Sequence, residues 1–405
     1  GTLFSNKETE EINVGFLHTQ NLSPAANVQF FYQRKGTKGL LNNEATNTRT
    51  LAFTTNYLGK KYVMHGGYIR NSLKKNENGG IRDDSFILDT LVEARTIPVF
   101  LNNASSSLIS NQVFITQSYA IPVNIFKRDS LEAGEGTMMI LGHSGEWKTM
   151  TRNYMDEISL SDLPAREFYN NRFYLNPTKT ADSVRTMILD NRFFLRLQPW
   201  SSTAIVSKIE GGVGYELLSN YCFIPDFYTE GPSNEWKNNM YVYAGASGML
   251  KRYFEWNAKG RLDFAGYYAG DMAIDANVRF SFYPMASGIH LAGKFLLNRQ
   301  TPSWYIKNYY SNHFIWNNDF DKTTETRIEA RLSIPGWKTE ATFSYGLLGN
   351  TIYYDTLGVV QQTDQLINVM TATLSKNFSF WYIRLDNRLL FQLSSHRDIV
   401  PLPLL

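Results

Sequence analysis

The stretch from Phe254 to Tyr283 reads FEWNAKGRLDFAGYYAGDMAIDANVRFSFY. Successive side chains of a strand point to opposite faces, so a period of two is the test. Phe254, Trp256, Ala258, Gly260, Leu262 and Phe264 fall on one face; Glu255, Asn257, Lys259, Arg261 and Asp263 fall on the other. After Ala269-Gly270-Asp271 the alternation resumes, with Met272, Ile274, Ala276, Val278, Phe280 and Phe282 against Asp275, Asn277, Arg279 and Ser281. This is a hairpin with one apolar and one charged surface. Each arm exceeds the about 5–6 residues of a common globular strand and meets the roughly 9–11 that a tilted strand needs to cross a bilayer.

The same pattern extends in both directions. Upstream, alternation predicts strands over 12–21, 27–35, 48–58, 61–72, 111–123, 137–145, 183–199 and 203–218. Downstream it predicts 327–335, 337–347, 367–378 and 381–393, the last placing Arg384, Asp386 and Arg388 opposite Ile383, Leu385 and Leu389. Brief turns such as Gly59-Lys60 alternate with long polar connectors at 36–47, 74–84, 148–181 and 219–237. Membrane barrels show that asymmetry. Within 148–181, Ser161-Asp162 ahead of Pro164 and Glu167 predicts a capped helix start. The count comes to about sixteen strands. The alternation of turn lengths fails after about Met249: 269–271 and 335–336 are too brief for outer loops, and 349–366 is too long for an inner turn. Either a strand is misassigned or some outer loops are short.

Composition agrees with a barrel. Of 405 residues 43% are hydrophobic, and the aromatic share of 14% (Tyr 24, Phe 26, Trp 8) carries much of that content. No run approaches the ~18 uncharged apolar residues of a membrane helix, so a bilayer can be crossed only by a closed sheet in which every backbone group pairs. Forty Lys+Arg against 37 Asp+Glu leave +3, too balanced for a nucleic-acid binder. The one cysteine, Cys222, allows no intrachain disulfide. The start, GTLFSNKETE, has no charged and apolar export signal, which is expected to be removed or to lie upstream.

Alternation alone also suits a soluble sandwich. Strand length and aromatics near strand ends (Trp256, Tyr283, Trp337, Trp381) favour a membrane barrel with an interfacial girdle. An Arg or Lys facing lipid at mid-membrane costs about 2–4 kcal/mol, so the charged faces must look into a wet interior. Sixteen strands leave room for an aqueous lumen. The residues expected to line it are Glu255, Lys259, Arg261, Asp263, Asp275, Arg279, Arg327, Glu329, Arg331, Lys338, Glu340, Arg384, Asp386 and Arg388. Their signs interleave at i, i+2, which predicts pairing along the wall and a weak residual preference for anions.

Other chemistry has little support. His18, His65, His143, His290, His313 and His396 show no metal-ligand spacing. His143-Ser144 invites a lipase-like reading, but LGHSGEW has no orienting acid or oxyanion motif, and a strand end explains it better. Glu77, Asn78, Asp83 and Asp84 offer hard oxygen ligands without the spacing of a calcium loop, and Asn78-Gly79-Gly80 reads first as a turn. Gly59, Gly212, Gly214, Gly266 and Gly270 lack a phosphate-loop context and suit bends or positions beneath aromatic rings. No catalytic residue, metal or cofactor is expected.

The segments VQFFYQRKGTKGLLNNEATNTRT, YLGKKYVMHGGYIRN, NENGGIRDD and NNASSSLISNQVFITQSYAIP, with SNHFIWNNDF and LSSHRDIVPLP further on, resemble the "putative porin" family of Bacteroidota outer membranes. The resemblance covers most of the chain and implies an all-β, large antiparallel transmembrane barrel in the bacterial outer membrane. Family members look longer at both ends, so residues 1–405 are expected to be one barrel domain lacking parts of the mature protein. The expected partners are outer-membrane lipid and small polar solutes, with further outer-membrane proteins or a second copy as candidates. The leading function is a diffusion channel. The alternative is a barrel subunit of a larger outer-membrane assembly with an occluded lumen. An energised transporter would need an amino-terminal plug, which is not seen in these residues, and a barrel enzyme has the least support.

Overall fold

The computed structural model describes residues 2–6, 11–88, 92–122, 138–198, 204–222, 235–284 and 287–400. The chain opens with β1 (Thr2–Asn6), β2 (Glu11–Ser23), β3 (Ala26–Thr37), β4 (Thr46–Leu58) and β5 (Tyr62–Asn76). A short helix α1 (Ser85–Leu88) precedes β6 (Ser105–Pro122) and β7 (Met138–Glu157), and α2 (Leu163–Phe168) precedes β8 (Lys179–Gln198). Then come β9 (Lys208–Cys222), β10 (Glu235–Leu250), β11 (Phe254–Gly266), β12 (Met272–Phe282) and β13 (Ile289–Gln300). After α3 (Trp304–Lys307), β14 (Asn308–Tyr310) and β15 (Ile315–Asn317), the wall continues as β16 (Thr323–Ile334) and β17 (Thr339–Gly349). β18 (Ile352–Tyr354) and β19 (Val360–Gln362) precede β20 (Ile367–Phe380) and β21 (Ile383–Ser394).

Seventeen strands form one antiparallel sheet in chain order, while β14–β15 and β18–β19 are separate small hairpins. Thus β13 pairs with β16 and β17 with β20. Among the described residues β1 pairs only with β2, and β21 only with β20.

The failed turn alternation now has its reason. The sequence reading did not place β10 or β13, whose inner faces carry Tyr241 and Tyr243, and Ala292 and Leu296, in place of clear polar residues. With β13 restored, 335–338 joins the short-turn end and 350–366 the long-loop end. Among the described connections at the long-loop end only 267–271 is brief. The connector predicted at 148–181 is also corrected: β7 and β8 run 20 residues each, leaving 158–178. The helix start inside it stands, because the Asp162 side chain accepts a hydrogen bond from the Ala165 N–H at 3.4 Å. Most of 219–237 lies outside the described residues.

Cross-strand register sorts the side chains into two continuous faces. Leu262, Val242, Val213 and Phe193 follow one another across β11, β10, β9 and β8 on one of them. Phe16, Phe30, Phe53, Tyr68, Val113 and Trp147 continue it through β2 to β7. Phe264 and Phe280 are 50% and 42% exposed, with no second sheet against them. The other face is concave, because the segment 301–322 leaves β13 and makes its contacts on β8 and β9. Asn312 N–H donates to Asp182 Oδ1 at 2.8 Å, and Tyr305 Oη to Thr186 is 3.0 Å. Five strand spacings, about 24 Å of wall, separate β13 from β8. Only a chord through the interior spans them, so the charged face is the inner one.

The outer face is apolar over a limited height. From the short-turn end, the β7–β8 pairs run Leu141–Leu195, His143–Phe193, Gly145–Asn191 and Trp147–Leu189, then turn polar at Thr151–Arg185 and Asn153–Ser183. At the short-turn rim Trp337, Trp381 and Tyr382 are 58%, 91% and 94% exposed, and Tyr253 and Tyr283 pack edge to face. An aromatic row thus marks the short-turn edge of the apolar band, and polar pairs mark its other edge, as the hydrocarbon boundary of a membrane requires. The apolar cores that form away from the band lie at the long-loop end: Leu101, Ala104 and Ala165 in one, Cys222, Trp304 and Tyr310 in another.

Candidate functional site

Thirteen of the fourteen residues expected along the lumen share the inner face, on β11, β12, β16, β17 and β21. Lys338 does not. It sits in the turn after Trp337 with φ 48°, and its Nζ reaches Ser379 Oγ at 2.6 Å. The strand expected from Trp337 gives it an inner-face position, but Pro335–Trp337 form a 3₁₀ turn and the strand starts only at Thr339.

Neighbouring charges pair as their spacing predicts. Arg331 reaches Glu329 at 3.1 Å and Arg384 reaches Asp386 at 3.0 Å, both at i, i+2. Glu255 and Arg279 bond directly across strands, and Arg327 bonds Glu325. Lys294, on a strand that sequence alone did not place, lies 3.7 Å from Asp275. The bases of these pairs are about half exposed and the acids a quarter to a half, so each pair contributes only a few tenths of a kcal/mol to about 1 kcal/mol after screening.

One cluster is more enclosed, with Asp263 and Glu216 largely covered and Arg261 reaching the interior space. Arg261 Nη2 lies 2.6 Å from Asp263 Oδ1 and 3.1 Å from Glu216 Oε2, and its guanidinium stacks 3.7 Å from the Tyr241 ring centroid. Tyr241 Oη donates to Asp190 at 2.9 Å, while Asn239, fully buried, donates to both Glu216 and Asp263. One guanidinium thus stands among three carboxylates, and each carboxylate has a donor: Arg261 and Asn239 serve Asp263 and Glu216, and the Tyr241 hydroxyl serves Asp190. Glycine makes the room: a Cβ at Gly214 would stand 2.1 Å from the Tyr241 ring, and one at Gly212 would stand 2.7 Å from Tyr243. Both glycines lie beneath rings, as expected; Gly266 and Gly270 take positive φ at the β11–β12 turn. Glu216 and Asp190 were absent from the expected set because glycines interrupt the alternation on β9 and because β8 was read only as a strand.

The wall is uneven around its circumference. From β2 to β6 the mid-height inner positions include Thr19, Gln29, Gln33, Thr50, Thr54, Asn71, Gln112 and Thr116 beside apolar ones such as Phe31, Ile69 and Phe114, with no Lys, Arg, Asp or Glu among them. The charged positions lie from β7 onward. Beneath the long loops, cavities of about 870 and 470 Å³ meet at Arg261, the larger also touching Asp263 and Glu325 and the smaller Asp190 and Asp275.

Long loops interlock over this interior. Asn43 donates to the carbonyls of Glu77 and Ala104; Arg82 bridges to Asp162 at 3.2 Å; Arg172 reaches the Leu357 carbonyl at 3.4 Å. Asn312 is the central pin. Besides bonding Asp182, its side chain donates to Thr180 and Asn176 and accepts from the N–H groups of Leu175 and Asn176. His313 beside it is buried, its ring stacked 3.8 Å from Tyr169 at 2°. Nδ1 donates to the Arg172 carbonyl at 2.8 Å, so Nε2 accepts from the Thr180 hydroxyl at 2.8 Å. Burial lowers the His313 pKa, only partly opposed by that carbonyl.

The catalytic and calcium readings find no support in the geometry. His143 faces outward against Phe193, whereas Ser144 faces inward and bonds Thr116. His143 is also mid-strand, not at a strand end as expected. Asn78 Oδ1 accepts from Gly80 N–H as a turn, Asp83 caps Ser85 N–H, and Glu77 bonds Lys75 and Ser106, so these oxygens do not converge. Among the described residues no three metal-ligating side chains gather.

A continuous antiparallel wall, with an outer apolar band edged by aromatic residues at the short-turn rim and a charged inner face, defines an outer-membrane β-barrel protein. The chain belongs to the family described as "Putative porin", which it matches over residues 2–405. Among curated proteins no sequence matches. Among solved structures it is similar to the ferric enterobactin receptor PfeA of Pseudomonas aeruginosa (TM-score 0.60, 9% identity, 96% of this chain and 61% of that one). It is likewise similar to the siderophore receptor PirA of Pseudomonas aeruginosa (TM-score 0.61, 10% identity, 97% and 64%). The copper transporter OprC gives TM-score 0.60 at 11% identity, covering 98% and 62%. The chain thus spans about three fifths of the length of these receptors and transporters. At such identities the likeness is one of fold.

Proposed function

We propose that this chain, a single barrel domain, forms a passage for small polar solutes across the outer membrane of a Bacteroidota cell, with its long loops outside the cell. The observation that carries the reading is the half-exposed, internally paired charge on the concave face. Such a surface holds water and leaves little net field. Of the thirteen expected residues on that face, seven are cationic and six anionic. Their partners Glu216, Glu325 and Lys294 make the balance eight to eight, and a Debye length of about 8 Å screens what is left. Discrimination by charge sign is therefore weak.

Replacing Arg327, Arg331, Arg384 and Arg388 with Glu should move the reversal potential toward cations in a salt gradient across a planar bilayer. Conductance without that shift takes these residues off the path. The interlocked loops favour a second reading, a barrel subunit of a larger outer-membrane assembly whose lumen is closed. Absence of conductance in the full-length protein, with stable co-purifying subunits, would select it.

A further inference from the structure

At the long-loop end, between the inner face of β7–β8 and the segment 301–322, lies a cavity of about 370 Å³. Its size falls in the range of small-molecule sites. Rings form much of its lining: Tyr154, Phe168, Tyr169, Tyr309 and Phe314. They are held in place, since the Tyr154 and Tyr169 hydroxyls lie 2.6 Å apart, Tyr169 donates to Asp156 at 2.7 Å, and Tyr309 stacks on Trp316.

Two charges line the same space, Arg152 and Asp182. Arg152 sits opposite Val184 and Asp182 opposite Tyr154, which makes them diagonal neighbours on adjacent strands, with Cβ atoms about 7 Å apart. They form no ion pair. Among the described residues Arg152 has no hydrogen-bond or ion-pair partner, and Asp182, only 7% exposed, accepts one bond from Asn312 N–H through Oδ1, its second oxygen having no partner. A carboxylate that deep calls for a cation, and a free guanidinium offers a two-pronged seat for an anion.

We propose that this cavity binds a small zwitterion with an apolar body, an amino acid or short peptide with free termini: its carboxylate on Arg152, its ammonium on Asp182, its side chain among the rings. A plain anion would meet Asp182, a plain cation would meet Arg152, and a neutral sugar would leave both charges without partners. The site lies at the mouth, and the inference stands whether or not the barrel conducts.

The test uses the full-length protein in detergent and the dipeptide Phe-Ala as probe, read by calorimetry and by the emission of Trp316, which stacks on the cavity wall. N-acetylation of the probe and amidation of its carboxyl should each weaken binding roughly tenfold or more, the scale of losing one charged hydrogen-bonded contact. Asp182→Asn, which keeps an oxygen for Asn312 N–H, should abolish only the preference for the free amine. Arg152→Gln should abolish only the preference for the free carboxylate. Equal binding of free and blocked peptides, or no binding of Phe-Ala at about 10 mM, overturns the proposal. The comparison of blocked with free peptide on the unaltered chain decides it even if a variant fails to fold.

Discussion

At the scale of single residues, the Arg261 cluster depends on an absent side chain. Gly214 lets the Tyr241 ring lie flat on β9, and that ring carries both Arg261 and the bond to Asp190. Gly214→Ala should therefore lower the denaturation midpoint, with an overpacking cost of about 1–3 kcal/mol. Gly211→Ala, where the nearest atom is 3.8 Å away, should be neutral by the same measurement. His313 supplies a pH-dependent counterpart. Its docked pKa is lowered by burial, so below the ordinary histidine value of about 6.5 the released loop takes up a proton that the docked loop resists. Docking is then strongest above that value and weakens as pH falls toward the docked pKa. Hydrogen exchange in 301–322 should be faster at about pH 5 than at about pH 7.5, and His313→Gln should remove most of the difference. Glycines beneath rings and Arg261 beside Asp263 were legible in sequence, but the part played by His313, one of six scattered histidines, was not; its burial comes from a loop folding back onto strands far away in the chain.

At the scale of elements, the segment 301–322 behaves as a crossbar pinned at Asn312, which is 1% exposed. Asn312→Ala deletes the side-chain bonds to Thr180, Asn176 and Leu175 and leaves buried groups without partners, a loss of about 1–3 kcal/mol. Limited proteolysis should cut this segment roughly ten- to a hundredfold faster in the variant, with the strands untouched. Strands were readable wherever the inner face was charged, as on β11, β12 and β16, because polarity then switches at each residue. β10 and β13 escaped because aromatic, small or leucine residues occupy much of their inner faces, and β7 and β8 were cut short because polar residues take both faces at their long-loop ends. The two-residue pairing rule survived, while Lys338 failed it by lying in a turn.

At the scale of the whole molecule, the outer face predicts where the bilayer ends. Arginine at Phe193 or Val213, inside the apolar band, should cost about 2–4 kcal/mol in refolding into lipid bilayers. At Thr151 or Ser183, above Trp147, the same change should be nearly silent, and equal costs at both heights would remove the band. The lengths of the strands carry one more consequence. At about 3.3 Å per residue and a tilt near 40°, the 11 residues of β12 rise about 28 Å, little more than the apolar band, whereas the 20 residues of β7 and β8 rise about 50 Å. The parapet is lopsided: one flank stands some 20 Å proud of the bilayer, while the β11–β12 flank is a low sill crossed by 267–271 alone. Anything arriving from outside meets the tall flank as a backstop and the sill as the doorway, so approach to the mouth has a compass direction as well as a depth.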